Sequence, residues 1–374
     1  MKRLLLTCTD LMAIQFMVPH MRYLSENGFD VELACSVVGN RLEDLQKAVG
    51  DIVKIHTVRL VRSPYSLKNL SGYSDLKKLL EKNRYDVIWT NEPVMGVMTR
   101  LAARKARKNG TKVVYMCHGF HFYKGASKLS WLTFYPIERI MAHYCDVIVV
   151  INREDEAIAN TFKVPKVEYI HGIGVNTERL HKYKDQCYIS KELNLSPDDF
   201  IVLSVGELNQ NKNHQVIIRA VAKLADPAVH YVICGKGELM DELRQLSESL
   251  GVANSVHLLG YRNDVVDICS QVDLFAHPAH REGLGLAPLE AMYCGLPIIA
   301  SDTRGIQDYT ENGVSGYLCP ADDIDGFAKA IKKLKDNAAL CERFGTLNKE
   351  KMKLFCLDCV KQEVLNIFID ENDA

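Results

Sequence analysis

The sequence predicts an α/β protein made of two Rossmann-like halves, and three observations carry that expectation. Its 374 residues are about two to three times the size of an ordinary domain. Short β-rich runs alternate with amphipathic helical patterns along nearly the whole chain, and continuous apolar strands between helices imply parallel sheets covered on both faces. The alternation stops once, in a polar stretch, and then starts again.

In the first half, Leu4–Thr7, Val31–Cys35, Val87–Thr90, Val113–Cys117, Val147–Ile151 and Val167–His171 read as strands. Helical patterns fill the gaps: Val18–Glu26 closed by Asn27 and Gly28, Asp75–Glu81, and Val94–Lys108 closed by Asn109 and Gly110. The polar stretch from Glu178 to Phe200, with the turn-like Ser196-Pro197-Asp198-Asp199, reads as a linker. Beyond it, Ile201–Val205, Tyr231–Cys234, Val256–Leu259, Leu274–Ala276 and Ile298–Ala300 are strand candidates, with helices at His214–Leu224, Leu239–Leu250 and Leu286–Tyr293. The expected organisation is a first domain over 1–176, a linker over 177–199, a second domain over 200–350, and a C-terminal helical segment over 351–374 crossing back to the first domain. Ligands of open α/β sheets sit at the carboxyl ends of strands, so the active site is expected in a cleft between the domains.

Composition excludes several classes. With 47% hydrophobic and 25% charged residues the chain is neither disordered nor fibrous. The net charge of -1 hides an asymmetry: residues 1–176 hold 25 Lys and Arg against 17 Asp and Glu, and the remainder holds 21 against 30. Arg100, Arg104 and Lys108, spaced by four, fall on one helix face, with Lys105, Arg107 and Lys112 nearby. That face is either a solvated one or a surface for anionic lipid headgroups or a phosphate-bearing acceptor. No basic stretch is interleaved with aromatics, so nucleic acid is not an expected partner. The twelve cysteines are scattered through apolar runs, which suits free thiols in a reducing compartment; Cys356-x-x-Cys359 lacks the second pair a zinc site needs. The N-terminal apolar run is too short for a signal segment and no stretch nears 18 apolar residues, so a cytoplasmic protein is expected.

The most informative segment runs from His277 to Met292. A strand ends near His277, a loop holding Gly283 and Gly285 follows, and a helix opens near Gly285. Such a strand–loop–helix presents the free N–H groups and positive dipole end of the first helical turn, where a diphosphate would fit, and the two glycines let backbone approach closely. Glu282 in the loop and Glu290 in the second helical turn add carboxylates suited to accepting hydrogen bonds from sugar and ribose hydroxyls.

Glu282 and Glu290 form the E-x7-E element of retaining glycosyltransferases, and the chain resembles glycosyltransferase family 4, of the GT-B fold, over nearly its whole length. Gly206 through Lys212, Gly235-Lys236-Gly237, Leu259-Gly260-Tyr261, Asp273 through Pro278 and Gly295 through Asp302 occur in the family's order. The resemblance implies a nucleotide-diphosphate sugar donor, with Glu290 on the ribose hydroxyls, Glu282 on the transferred sugar, and Gly283, Leu284, Gly285 and Leu286 lining the donor site. It also implies that Gly206 and Lys212 face the donor diphosphate. Glu207 stands where the family usually has a basic residue, which leaves Arg281 as the candidate replacement. Gly235 and Gly237 either line the base pocket by the same analogy or simply make a tight turn, and Tyr261 and Arg262 are candidates to face the base; the third glycine of a dinucleotide fingerprint is missing, since position 240 is Met.

In the first half, the resemblance places His118 near the anomeric carbon; His121, Tyr123 and Lys124 are read as shaping the acceptor side, and so is the turn holding Asp10, which lacks the glycines the family usually has after its first strand. Glu138 recurs in polysaccharide-making relatives; an ordinary helix-face ion pair is the other reading. His118 and His121 lack the carboxylates or thiols that would complete a metal site, and Asp323-Ile324-Asp325 reads as a helix N-cap rather than a metal-binding D-x-D. No metal or other cofactor is expected. The chain looks most like bacterial enzymes that build exopolysaccharide, capsule or O-antigen units. This implies a UDP-sugar donor, a glycan or polyprenyl-diphosphate-linked acceptor, and attachment to the anionic inner face of the cell membrane. A nucleotide-sugar epimerase or sugar phosphorylase on the same fold, a non-catalytic sugar-binding protein, and a retaining glycosidase are the alternatives.

Overall fold

The computed structural model describes residues 1–9, 11–36, 42–181 and 188–369. Asp10 lies outside them. The chain divides into two compact units, Met1–Gly174 with Asp358–Ala374, and Val175–Leu357. The segment 177–199 belongs to the second unit, where it carries the short helix Tyr188–Glu192 with Ile189 buried.

The first unit is built on seven strands: β1 (Lys2–Cys8), β2 (Phe29–Cys35), β3 (Lys54–Thr57), β4 (Val87–Asn91), β5 (Lys112–Cys117), β6 (Val147–Val150) and β7 (Lys166–Tyr169). All pair in parallel in the order β3-β2-β1-β4-β5-β6-β7. The second unit has β8 (Phe200–Val205), β9 (Val229–Cys234), β10 (Val256–Gly260), β11 (Leu274–His277), β12 (Ile298–Ser301) and β13 (Gly316–Cys319), again all parallel, in the order β10-β9-β8-β11-β12-β13. In each sheet the direction of growth reverses beside the first strand, between β1 and β4 and between β8 and β11. Such switch points leave a crevice at the strands' carboxyl ends, because the connections on either side leave in opposite directions.

The central strands carry continuous apolar runs because helices cover both faces; Leu4, Leu5 and Leu6 of β1 are wholly buried. The pattern missed β3 and β13. Both are four-residue edge strands: β3 keeps both ends exposed, and β13 opens on Gly316, so neither carries a strong apolar signal. The helix expected over 94–108 is two helices, Pro93–Ala102 and Arg104–Lys108. Arg104, Lys105 and Lys108 are exposed, but Arg100 is fully buried and does not share their solvated face. Its Nε donates to the Gly96 carbonyl at 2.9 Å, its Nη2 donates to Glu138 Oε2 at 2.8 Å, and its guanidinium lies 3.9 Å from the Tyr115 ring centroid. Glu138 is therefore half of a buried ion pair and not of a surface one.

The helix Leu357–Phe368 carries the chain's end onto the first unit, with the Phe368 ring 5.3 Å from Trp89 and 6.3 Å from Phe29. Glu363 accepts from the backbone N–H of His171 at 2.9 Å and pairs with its Nδ1 at 2.6 Å. Asp323 caps the helix Ile324–Lys335 by accepting from the Gly326 N–H at 2.9 Å, and Asp325 pairs with Lys223. The eleven cysteines among the described residues are free thiols.

Candidate active site

In the second unit the switch point brings two loops together. The loop after β8 holds Gly206 and Lys212; the loop after β11 holds Glu282 through Gly285. They are stitched by backbone: His280 N–H donates to the Asn211 carbonyl at 2.8 Å, and Asn211 Nδ2 to the Arg281 carbonyl at 3.0 Å. Asn209 Oδ1 accepts from the Lys212 N–H at 3.0 Å, and a Cβ at Gly206 would lie 3.4 Å from the Lys212 stem, so the lysine runs over Gly206.

Lys212 Nζ is 2.6 Å from Glu282 Oε2, and His277 Nε2 is 3.0 Å from the same oxygen. Burial opposes ionisation of Glu282, but the His277 hydrogen bond and the Lys212 charge outweigh it and hold the carboxyl at about 2. His277 is itself pushed below the usual imidazole value by burial, so it is the neutral ring that donates through Nε2–H to an ionised carboxylate. The helix Leu286–Tyr293 starts from Gly285, whose φ of 86° is open to glycine at little cost. Pro288 sits in the first turn, where its missing N–H breaks no helical bond. Behind the loop, Tyr309 donates its hydroxyl to the Leu284 carbonyl at 2.8 Å. The backing turn is so close that a Cβ on Gly305 would meet the Gly283 carbonyl oxygen at 1.9 Å. Glu290 is buried in this helix.

Gly235 and Gly237 pack against the Gly206 loop: Cβ atoms there would lie 1.8 Å from the Gly206 oxygen and 2.3 Å from the Leu208 oxygen. Their glycines thus serve close approach of one loop to another. Tyr261 is 72% exposed with Lys236 Nζ 6.0 Å from its ring centroid, beside the same turn. Arg262 is committed elsewhere, bonded to Asp264 at 2.7 and 2.8 Å and to Glu192 at 2.7 Å. Arg281 is exposed, and Glu207 Oε2 accepts from Asn209 Nδ2 at 2.9 Å.

In the first unit, His118 follows β5 and its Nε2 donates to Asn91 Oδ1 at 3.0 Å, at the end of β4. Burial lowers its pKa despite the nearby Glu92 charge, leaving a neutral ring whose Nδ1 is an acceptor. Glu92 adopts φ of 66°, strained for a residue with a side chain, and its Oε2 accepts from the Thr9 N–H at 2.5 Å. Thr9 Oγ1 and Asn91 Nδ2 are buried and hydrogen-bond to no protein atom. A cavity of about 450 Å³ opens beside Thr9, lined by His121 but not by Tyr123 or Lys124. Lys124 is exposed, and its N–H donates to Glu154 Oε1 at 2.6 Å. Among the described residues, no cluster of three or more His, Cys, Asp or Glu side chains could hold a metal ion.

The sequence alone assigned no role to His277, Asn91 or Glu92. Each is a polar residue at or just past the end of an apolar central strand, and that position was the signal available.

Two consecutive parallel Rossmann-like sheets, with a lysine–carboxylate pair at a helix N-terminus on the second sheet's switch point, define a GT-B glycosyltransferase. The chain belongs to glycosyltransferase family 4. The family model described as Glycosyltransferase Family 4 matches residues 19–179, and that described as Glycosyl transferases group 1 matches residues 185–351. The chain is 33% identical to the putative glycosyltransferase EpsD of Bacillus subtilis over 94% of its own length and 92% of that protein. It is 29% identical to the UDP-Gal:alpha-D-GlcNAc-diphosphoundecaprenol alpha-1,3-galactosyltransferase of Escherichia coli, over 85% of this chain and 83% of that one. Among solved structures, Anabaena HepE in complex with UDP and glucose superposes with a TM-score of 0.78 at 19% identity, covering 98% of this chain and 99% of that chain. Sucrose-phosphate synthase from Thermosynechococcus elongatus gives 0.77 at 19% identity, over 98% of each chain. The protein is a glycosyltransferase enzyme. No helix of its described residues is long and apolar enough to cross a membrane.

Proposed function

We propose that the enzyme transfers a glycosyl group, with retention of anomeric configuration, from a UDP-sugar to a lipid-linked sugar acceptor in surface polysaccharide synthesis. The observation that carries this reading is the Lys212–Glu282–His277 cluster beside the N-terminus of the helix Leu286–Tyr293. The named substrates of the Escherichia coli relative and the UDP of the HepE structure support the choice of donor and acceptor class. As the bond from the anomeric carbon to the diphosphate loosens, Lys212 and the N–H groups of Gly285 and Leu286 stabilise the charge growing on the leaving group. The acceptor hydroxyl attacks the same face of an oxocarbenium-like centre and its proton leaves with the diphosphate. Glu282 holds the transferred sugar, Glu290 the ribose, and Gly206, Gly235, Gly237, Tyr261 and Arg281 complete the donor contacts; His118 is the first unit's own catalytic candidate. The reaction needs no metal, and the enzyme works at the anionic inner face of the membrane through its first unit.

Incubation with a panel of nucleotide sugars tests the reading. UDP-sugars should raise the unfolding temperature and be consumed on addition of a lipid-diphosphate sugar, with the product anomer read by NMR and turnover unchanged by EDTA. Binding of no nucleotide sugar would overturn the reading, and inversion at the anomeric carbon would overturn its stereochemical part.

A further inference from the structure

The cavity of about 450 Å³ in the first unit is walled mostly by hydrocarbon. Val94, Val97 and Met98 come from the helix Pro93–Ala102, Phe134 and Ile137 from the helix Lys128–Met141, and Phe122 from the loop between β5 and that helix. A sugar bound there would find few partners for its hydroxyls, whereas an apolar chain carries no hydroxyls that need them.

Two further observations select the kind of apolar chain. Arg62 belongs to the lining, its side chain is 61% exposed, and its Nη2 pairs with Glu92 Oε1 at 3.4 Å. A guanidinium in that position suits a phosphate group, which it can grip with two parallel hydrogen bonds. The cavity is also continuous with an apolar outer face. Ile137 lines the cavity yet is 46% exposed, and the same helix exposes Leu129 (70%), Leu132 (75%) and Ile140 (57%). The spacing of 129, 132, 137 and 140 puts these side chains along one side of the helix, a stripe that a water-facing helix does not normally show.

We propose that this cavity binds the prenyl segment adjoining the diphosphate of a polyprenyl-diphosphate-linked acceptor. Arg62 takes the diphosphate, and the exposed stripe of Lys128–Met141 rests in the bilayer surface from which the remaining prenyl chain enters. The proposal rests on the lipid-linked acceptor of the function proposed above and adds the residues that recognise the lipid.

The full-length protein is titrated with farnesyl diphosphate and with inorganic diphosphate, following the fluorescence of Trp131, whose ring centroid lies 5.4 Å from that of Phe122 on the cavity wall. Farnesyl diphosphate should bind about a hundredfold more tightly than inorganic diphosphate, since burying even a few methylene groups is worth that much. Val97→Phe, which fills the cavity, should weaken farnesyl diphosphate about tenfold, and Arg62→Gln should weaken both ligands. Equal affinity for the two ligands, or unchanged farnesyl diphosphate binding by Val97→Phe, would overturn the proposal. Should Val97→Phe fail to fold, Ile137→Gln at the half-exposed wall position asks the same question. UDP-sugar binding is measured in parallel. If it persists while prenyl selectivity is absent, the cavity's role falls and glycosyl transfer stands; if it is absent while prenyl selectivity is present, the donor assignment falls and the cavity's role stands.

Discussion

Glu282 Oε2 gathers two donors, Lys212 Nζ at 2.6 Å and His277 Nε2 at 3.0 Å. The lysine comes from the loop after β8 and the histidine from the last residue of β11, the two strands that flank the switch point. A single half-buried carboxylate thereby ties the two loops and holds an ammonium group in place over Gly206. A diphosphate that displaced the carboxylate from Lys212 would find the cation already oriented, which lowers the reorganisation needed in the transition state.

Lys212→Ala should lower kcat by roughly 10² to 10³-fold, the usual cost of removing one preorganised electrostatic contact. The donor KM should change much less, and Lys212→Arg should keep part of the rate. Steady-state kinetics with the preferred UDP-sugar decide this, and near-wild-type turnover by Lys212→Ala would remove the phosphate assignment.

Glu290→Ala should act mainly on donor binding. Loss of charged hydrogen bonds to ribose costs about 1.5 to 3 kcal/mol, or roughly tenfold to a hundredfold in affinity. Calorimetric titration with UDP reads the change directly, and unaltered UDP affinity would place Glu290 outside the site.

Stability should fall in mild acid. Burial holds His20 at about 4 and His214 at about 3, both far below the unfolded value of about 6.5. Below that value the unfolded chain takes up protons that the folded protein refuses. The stabilisation is therefore complete above about pH 6.5 and is lost as pH falls toward 4, at up to about 1.4 kcal/mol per pH unit for each histidine. Urea unfolding between pH 7.5 and 5 should show a falling midpoint, with a shallower slope in His20→Gln; a flat profile would contradict the assignment.

Arg100→Met alone should destabilise the first unit by about 3 to 5 kcal/mol, because it strands the buried Glu138 carboxylate. Arg100→Met combined with Glu138→Leu should recover most of that loss. A double-mutant cycle by chemical denaturation measures the difference, and additive losses would mean that the pair is not coupled.

Attachment to anionic vesicles should depend on Arg104, Lys105 and Lys108, all exposed. Neutralising each should cost about 1 kcal/mol, or about fivefold in partitioning, and added salt should weaken binding throughout. Salt-insensitive or absent vesicle binding would remove the electrostatic contribution of this face.

Element type was legible wherever local periodicity or turn chemistry sets it. The apolar run of β1 and the cap at Asp323 depend on neighbours a few residues away, and so does the glycine start of the helix Leu286–Tyr293. By themselves, residue order and spacing determined two parallel α/β halves and the turn that presents a helix N-terminus; the resemblance to the family added Glu282, Glu290 and Lys212 as members of one ordered set of motifs. Tertiary structure decided what long-range pairing controls. Lys212 and Glu282 are 70 residues apart and meet only because β8 lies beside β11. The four-residue spacing placed Arg100 with Arg104 and Lys108, yet it could not say which way the helix turns. Burial of Arg100 against Glu138, 38 residues further on, separates it from the solvated basic residues. A charge on a helix is read from its own segment, but whether that charge meets water or a carboxylate depends on the element packed against it.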